Sequence, residues 1–281
     1  MADDGTVTSR DVRDYYERND SLFRRFGSTA QAGSIHRALW APGVVTLDGA
    51  LNHAHSLVLA QLQALSSASA RPLLADLGCG RGGALRYLAA HSARPLRAFG
   101  VTLSPAQARQ ARRIAPEACV VEGDYLHLPF GRELEFVCAI ESFIHAPGPQ
   151  ACFGALSRAM RPGARLVLID DMLVGEPAPG IDARCIDAFR RGWHAPGLHT
   201  QDAWRTQAGA HGFRVSHALD LTHWLKLRAA PRALGDIALR LARPLLGRSD
   251  VLDASIGSIA LQQMLAAGLS RYRLMVFDYE G

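Results

Sequence analysis

The sequence predicts a doubly wound α/β domain: a parallel sheet with helices on both faces, an N-terminal helical segment and a helical insertion before the last strand. Three observations predict it. The apolar run Leu73–Leu77 ends in a glycine-dense turn, Gly78–Cys79–Gly80–Arg81–Gly82–Gly83, and a helical pattern starts directly at Ala84. Strand-like and helix-like segments then alternate as far as Asp170. Beyond Asp171 the alternation stops, and a largely helical stretch leads into one final strand.

Along the chain, Ser9 to Asn19 reads as a short amphipathic helix with Ser9 as its cap, and His53 to Leu65 has apolar residues at helical spacing. Strands are expected at Leu73–Leu77, Leu96–Val101, Ala118–Glu122, Glu135–Ile140 and Arg165–Ile169. Helices are expected between them at Ala84–His91, Pro105–Ile114 and Pro149–Met160. Arg161–Pro162–Gly163 reads as a stop before the fifth strand. Gly212–Asp220 and Tyr272–Tyr279 are the last two strand candidates, and Leu221–Leu269 is mostly helical. The expected organisation is a helical cap over 1–70 and a cofactor domain over 71–281. That domain carries lid insertions at about 172–211 and 221–269.

The net charge of +5 comes from 31 basic against 26 acidic residues, with no run of like charge that suggests a nucleic-acid groove. Five widely spaced cysteines without a CxxC pair argue against a disulfide framework or structural zinc and for a reducing, cytoplasmic setting. Residues 1–15 are polar, so no signal peptide is expected, and no apolar run is long enough for a membrane span.

A glycine turn after a first strand lets a nucleotide-type cofactor touch backbone. A nicotinamide fingerprint would place an acid at the end of the second strand. Here that strand runs into Gly100–Val101–Thr102–Leu103–Ser104–Pro105, without one. The stretch Asp76–Leu77–Gly78–Cys79–Gly80–Arg81–Gly82–Gly83 resembles motif I of class I methyltransferases that use S-adenosylmethionine, and Gly123–Asp124 and Arg161–Pro162–Gly163–Ala164 resemble two of their later motifs. Gly100–Gln107 is similar to the G-x-T-L-S-x-x-Q turn of lipid-modifying members, and Ala139–Pro147 to a stretch of the sterol C-methyltransferases. Tyr15–Tyr16, Phe26–Gly27–Ser28 and Ser34–Ile35–His36 weakly echo the N-terminal region of the same enzymes.

This resemblance implies S-adenosylmethionine as cofactor, held by Asp76, Gly78, Gly80, Thr102, Gln107, Gly123, Asp124, Tyr125 and Glu141. It implies methyl transfer to a small apolar acceptor, an isoprenoid double bond in the first instance, with an isoprenyl diphosphate such as isopentenyl diphosphate among the acceptors, through a carbocation. O- or N-methylation of a secondary metabolite is the alternative. Catalytic candidates are Glu141, His145, Tyr16 and His194; Glu141 sits just beyond the fourth strand, where a carboxylate can stabilise a cation or accept a proton. Candidates for the acceptor are His36, Trp40, Arg190, Arg191, Trp193, Trp224 and Lys226, with arginines suited to a diphosphate and aromatic faces to a cation. No metal ligand set is evident: magnesium at Asp170–Asp171 is conceivable but unsupported by spacing. A homodimer is compatible with the sequence, which does not specify one.

Overall fold

The computed structural model describes residues 8–26, 34–66 and 69–281, without the side chains of residue 16 and residues 19–26. Its centre is a seven-stranded sheet in the order β3-β2-β1-β4-β5-β7-β6. The strands are β1 (Leu73–Leu77), β2 (Arg97–Thr102), β3 (Cys119–Glu122), β4 (Leu134–Ile140), β5 (Met160–Leu173), β6 (Phe213–Asp220) and β7 (Ser270–Tyr279). Strands β1 to β5 pair in parallel, whereas β7 runs antiparallel to both β5 and β6. Strand order reverses between β1 and β4, and a crevice opens there at their carboxyl ends.

Helices α3 (Gly83–His91), α4 (Pro105–Ile114) and α5 (Pro149–Ala159) are the crossovers the alternation predicts. Two segments expected outside the core belong to it. Helix α2 (Leu47–Gln63) buries Ala54, Val58 and Leu62 with Leu74, Leu85 and Val167, so it covers the sheet and is no separate cap. Helix α7 (Gln201–Ala210) buries Trp204 with Phe153, Phe213 and Phe277 on the opposite face. The lid has its own core, where Ile186 and Phe189 of α6 (Ile181–Gly192), Leu239 of α8 (Arg232–Ala242) and Ile256, Leu261 and Met264 of α9 (Asp250–Ala266) cluster.

The first helix, α1 (Ser9–Phe26), is longer than the expected one and is capped by Thr8, whose hydroxyl accepts from the Asp11 amide while the Asp11 carboxylate accepts from the Thr8 amide. Ser9 is therefore not the cap; its hydroxyl instead donates to Asp124 across the chain (2.7 Å). The Arg161–Pro162–Gly163 stop ends α5 but does not delay the strand: β5 starts at Met160, and Gly163 turns the chain at φ +83°. Among the described residues no helix is long and apolar enough to cross a membrane.

Candidate active site

The turn after β1 forms the floor of the crevice. Gly78 has φ +77°, and a Cβ built there would lie 2.4 Å from Cβ of Ser142, so only glycine lets the β1 and β4 turns meet. Ser142 ties the two together by donating to the Leu77 carbonyl (2.6 Å). Two buried polar atoms that point to a ligand face this floor. Asp76 Oδ2 has no hydrogen-bond partner, and burial pushes the Asp76 carboxyl up to about 7. Gln107 Nε2 is also without one, while Gln107 Oε1 accepts from the Thr102 hydroxyl (2.9 Å). A carboxylate oxygen of Asp76 and the amide donor of Gln107, each without a hydrogen-bond partner beside a glycine turn, fit the ammonium and ribose ends of S-adenosylmethionine.

The second half of the site hangs on a residue the motifs do not mark. Arg37 donates from its backbone amide and from Nε to Glu141 Oε1, both at 3.0 Å. Its two terminal nitrogens grip Asp171 bidentately at 3.1 and 2.6 Å. The guanidinium lies over the Tyr272 ring, 4.0 Å from its centroid, and the Tyr272 hydroxyl donates to Glu141 Oε1 at 2.8 Å. Burial pulls the Glu141 carboxyl upward, but the Arg37 charge, with His36 and these hydrogen bonds, outweighs it and holds Glu141 below its ordinary value. Glu141 itself has φ +50°, a conformation that turns its side chain into the crevice at an energetic cost that three donors offset.

Two histidine arrangements flank this network. His36 Nδ1 donates to the Arg37 carbonyl (3.1 Å), and His36 Nε2 and His55 Nε2 share a hydrogen bond at 2.9 Å, with His55 Nδ1 facing Asn52 Oδ1. Burial lowers both imidazoles below their ordinary value. His145 donates from Nδ1 to the His194 carbonyl (3.0 Å), which makes Nε2 its acceptor nitrogen, and burial lowers it to about 4.

The crevice brings together Asp76, Gly78, Gly80, Thr102, Gln107, Asp124, Tyr125, Glu141, His145, His36 and Trp193 of the expected residues. Gly123 stands behind it, donating its amide to the Thr102 carbonyl. His194 packs its ring on Tyr15 outside the lining, with centroids 5.1 Å apart. The side chain of Tyr16 lies outside the described residues. Five acceptor candidates are elsewhere. Arg190 donates to the Leu198 carbonyl, and Arg191 lies 3.9 Å from Asp187 on an exposed surface. Lys226 sits 3.1 Å over the Trp40 ring, and the Trp40 amide donates to the Trp224 carbonyl. These pairings build wall, and none of the five side chains lines the crevice.

Asp170 and Asp171 do not fit magnesium. Asp171 is gripped by Arg37, while Asp170 accepts from the Ile144 and Asp171 amides and is pushed upward by burial and its acidic neighbours. Among the described residues no group of three or more potential ligands gathers anywhere.

Residues 75–168 match the family described as Methyltransferase domain. That stretch runs from β1 to β5 and contains the glycine turn, so the chain carries a methyltransferase domain match on an α/β sheet of the class I methyltransferase fold. The chain is 33% identical over 159 residues to the 24-methylenesterol C-methyltransferase 2 of Oryza sativa subsp. japonica, an alignment covering 53% of this chain and 43% of that protein. The chain thus spans less than half of that relative. It is also 26% identical over 227 residues to an O-methyltransferase of Pyrenophora dematioidea, covering 78% and 81% of the two chains. Among solved structures it is similar in fold to a geranyl diphosphate methyltransferase in complex with GPP and sinefungin, with a TM-score of 0.73, 19% identity and coverage of 96% and 98%.

Proposed function

We propose that the protein transfers a methyl group from S-adenosylmethionine to an alkene carbon of a neutral, apolar acceptor of the isoprenoid or sterol kind. The observation that carries this reading is the Glu141 carboxylate, held ionised at the carboxyl edge of β4 by Arg37 and Tyr272. When bound, the cofactor supplies an activated methyl group. Glu141 then offers a fixed negative charge toward the cation that forms on the acceptor carbon. Because Oε1 already accepts three hydrogen bonds, Glu141 serves as a stabiliser and is a poor proton acceptor there. His145, neutral and with Nε2 as acceptor, is the better group to take the proton that closes the double bond.

A diphosphate head group is disfavoured. Five carboxylates and two arginines line the crevice, and every side-chain nitrogen of Arg37 is already committed to Glu141 or Asp171. O-methylation is the second reading, favoured by the long match to an O-methyltransferase. The test is transfer of isotopically labelled methyl to a panel of isoprenoid alcohols, their diphosphates, a sterol and a phenol, with the product read by NMR. The expected label lies on an alkene carbon of a neutral acceptor. Label on oxygen establishes the second reading, and a diphosphate preferred over its alcohol overturns the neutral acceptor.

A further inference from the structure

One lid helix has two apolar faces. In α8, Gly235 and Leu239 are buried; Gly235 lies against Gln263 of α9, and Leu239 belongs to the lid core. On the other side Leu234, Ile237 and Leu241 are 58%, 54% and 74% exposed. Their spacing places them on a single stripe, joined by exposed Ala238.

The charge along this stretch of sequence is mostly positive. Residues 226–248 hold six basic side chains (Lys226, Arg228, Arg232, Arg240, Arg243 and Arg248) against the single acid Asp236, so this stretch alone carries the chain's whole net charge of +5. Asp236 is bound by Arg184 and Arg240, while Arg232 pairs with Asp182 and Arg243 with Asp187 on α6, which leaves Arg228 and Arg248 as the arginines of the stretch outside these ion pairs. Beyond the carboxyl end of α8, Arg191, Arg240 and Arg243 surround a shallow hollow with Pro244 and Leu246.

We propose that this face of the lid docks on an anionic phospholipid bilayer, with Leu234, Ile237 and Leu241 at the acyl boundary and Arg228 and Arg248 at the headgroup phosphates. At 11 residues α8 is too short to span a membrane and suits a position in its surface. A second copy of the chain would set the same positive stretch against itself across a two-fold axis. A nucleic acid would satisfy the arginines and leave the aliphatic stripe bare. The proposal goes beyond the reaction and does not depend on which atom is methylated. It places the lid at the membrane: α8 packs on α6, and Trp193, which follows α6, lines the crevice.

The test is sedimentation of the full-length protein with vesicles of phosphatidylcholine alone or with about one third phosphatidylglycerol. Binding is expected to be at least about tenfold stronger to the anionic vesicles and to weaken with salt. Ile237→Ser/Leu241→Ser is expected to lose most of it. Arg228→Gln/Arg248→Gln is expected to lose about tenfold or more, since each cation near the surface is worth about fivefold. Both variants should keep their circular dichroism and melting temperature. Equal partition into the two vesicle types, or binding unchanged by Ile237→Ser/Leu241→Ser, overturns the proposal. So does a dimer in solution that this double variant splits, which would assign the stripe to a second copy.

Discussion

The crevice has two halves built by different means. The half proposed for the cofactor is made of residues close in sequence: Asp76, Gly78 and Gly80 at the end of one strand and in its turn, and Thr102, Ser104 and Gln107 at the end of the next and just beyond. The acceptor half is made of residues far apart: Arg37 reaches Glu141 over 104 positions and Asp171 over 134, and Tyr272 reaches Glu141 over 131. A short-range site is specified by backbone geometry and tolerates change in the rest of the chain. A long-range one depends on buried charges balancing, so it fails as a unit.

The largest expected effect is at that balance. Arg37→Met leaves Glu141 and Asp171 buried without their partner, and removing one member of a buried ionic set costs about 3–5 kcal/mol. Chemical denaturation should show that loss. A cost near zero would mean the carboxylates find other partners, and the contrast between the halves would disappear.

Next is Gly78→Val, which puts a side chain into Ser142 at a positive φ. Affinity for S-adenosylhomocysteine, measured by calorimetry, should fall below detection while the far-ultraviolet circular dichroism stays folded. Unchanged affinity would remove this turn from the cofactor site.

Asp76 gives a pH signature. Burial raises its folded pKa from 3.8 to about 7, so between those values the folded protein holds a proton that the unfolded chain has released. Its contribution to stability without cofactor therefore falls as pH rises from about 4 to 7. Pairing with a ligand ammonium favours the ionised form, so cofactor affinity should rise over the same range and level off above about 7. Asp76→Asn should flatten that rise; a slope that survives in the variant would place its origin elsewhere. The smallest effect is at Gln107→Ala, expected to weaken the cofactor by one hydrogen bond, about 0.5–1.5 kcal/mol.

The same division explains what the sequence made legible. The run from Leu73 to Gly83 announces strand, turn and helix in eleven consecutive residues, and the structure places β1 at Leu73–Leu77 and α3 at Gly83. Glu141 and His145 are also readable, because both follow β4 closely. Arg37 is not: nothing local separates it from any other arginine, and its one signal is adjacency to the Ser34–Ile35–His36 stretch. Arg190, Arg191 and Lys226 mislead for the converse reason. Residue type suits them to a head group, but their partners Leu198, Asp187 and Trp40 are set by packing the sequence does not display. Helices α2 and α7 read as cap and lid because their amphipathic faces do not say which surface they cover; Val58 and Trp204 reveal it only once the sheet is present.

The most direct measurement is the single-turnover rate of Glu141→Gln, taken alongside its affinity for S-adenosylhomocysteine. The substitution keeps the shape and an acceptor oxygen for Arg37 and Tyr272 while removing the charge. If the fixed anion stabilises a cation on the acceptor, the rate should fall by about a hundredfold or more, with cofactor affinity within about threefold of the original. A rate close to that of the unaltered protein would contradict it and leave Glu141 as a structural partner of Arg37.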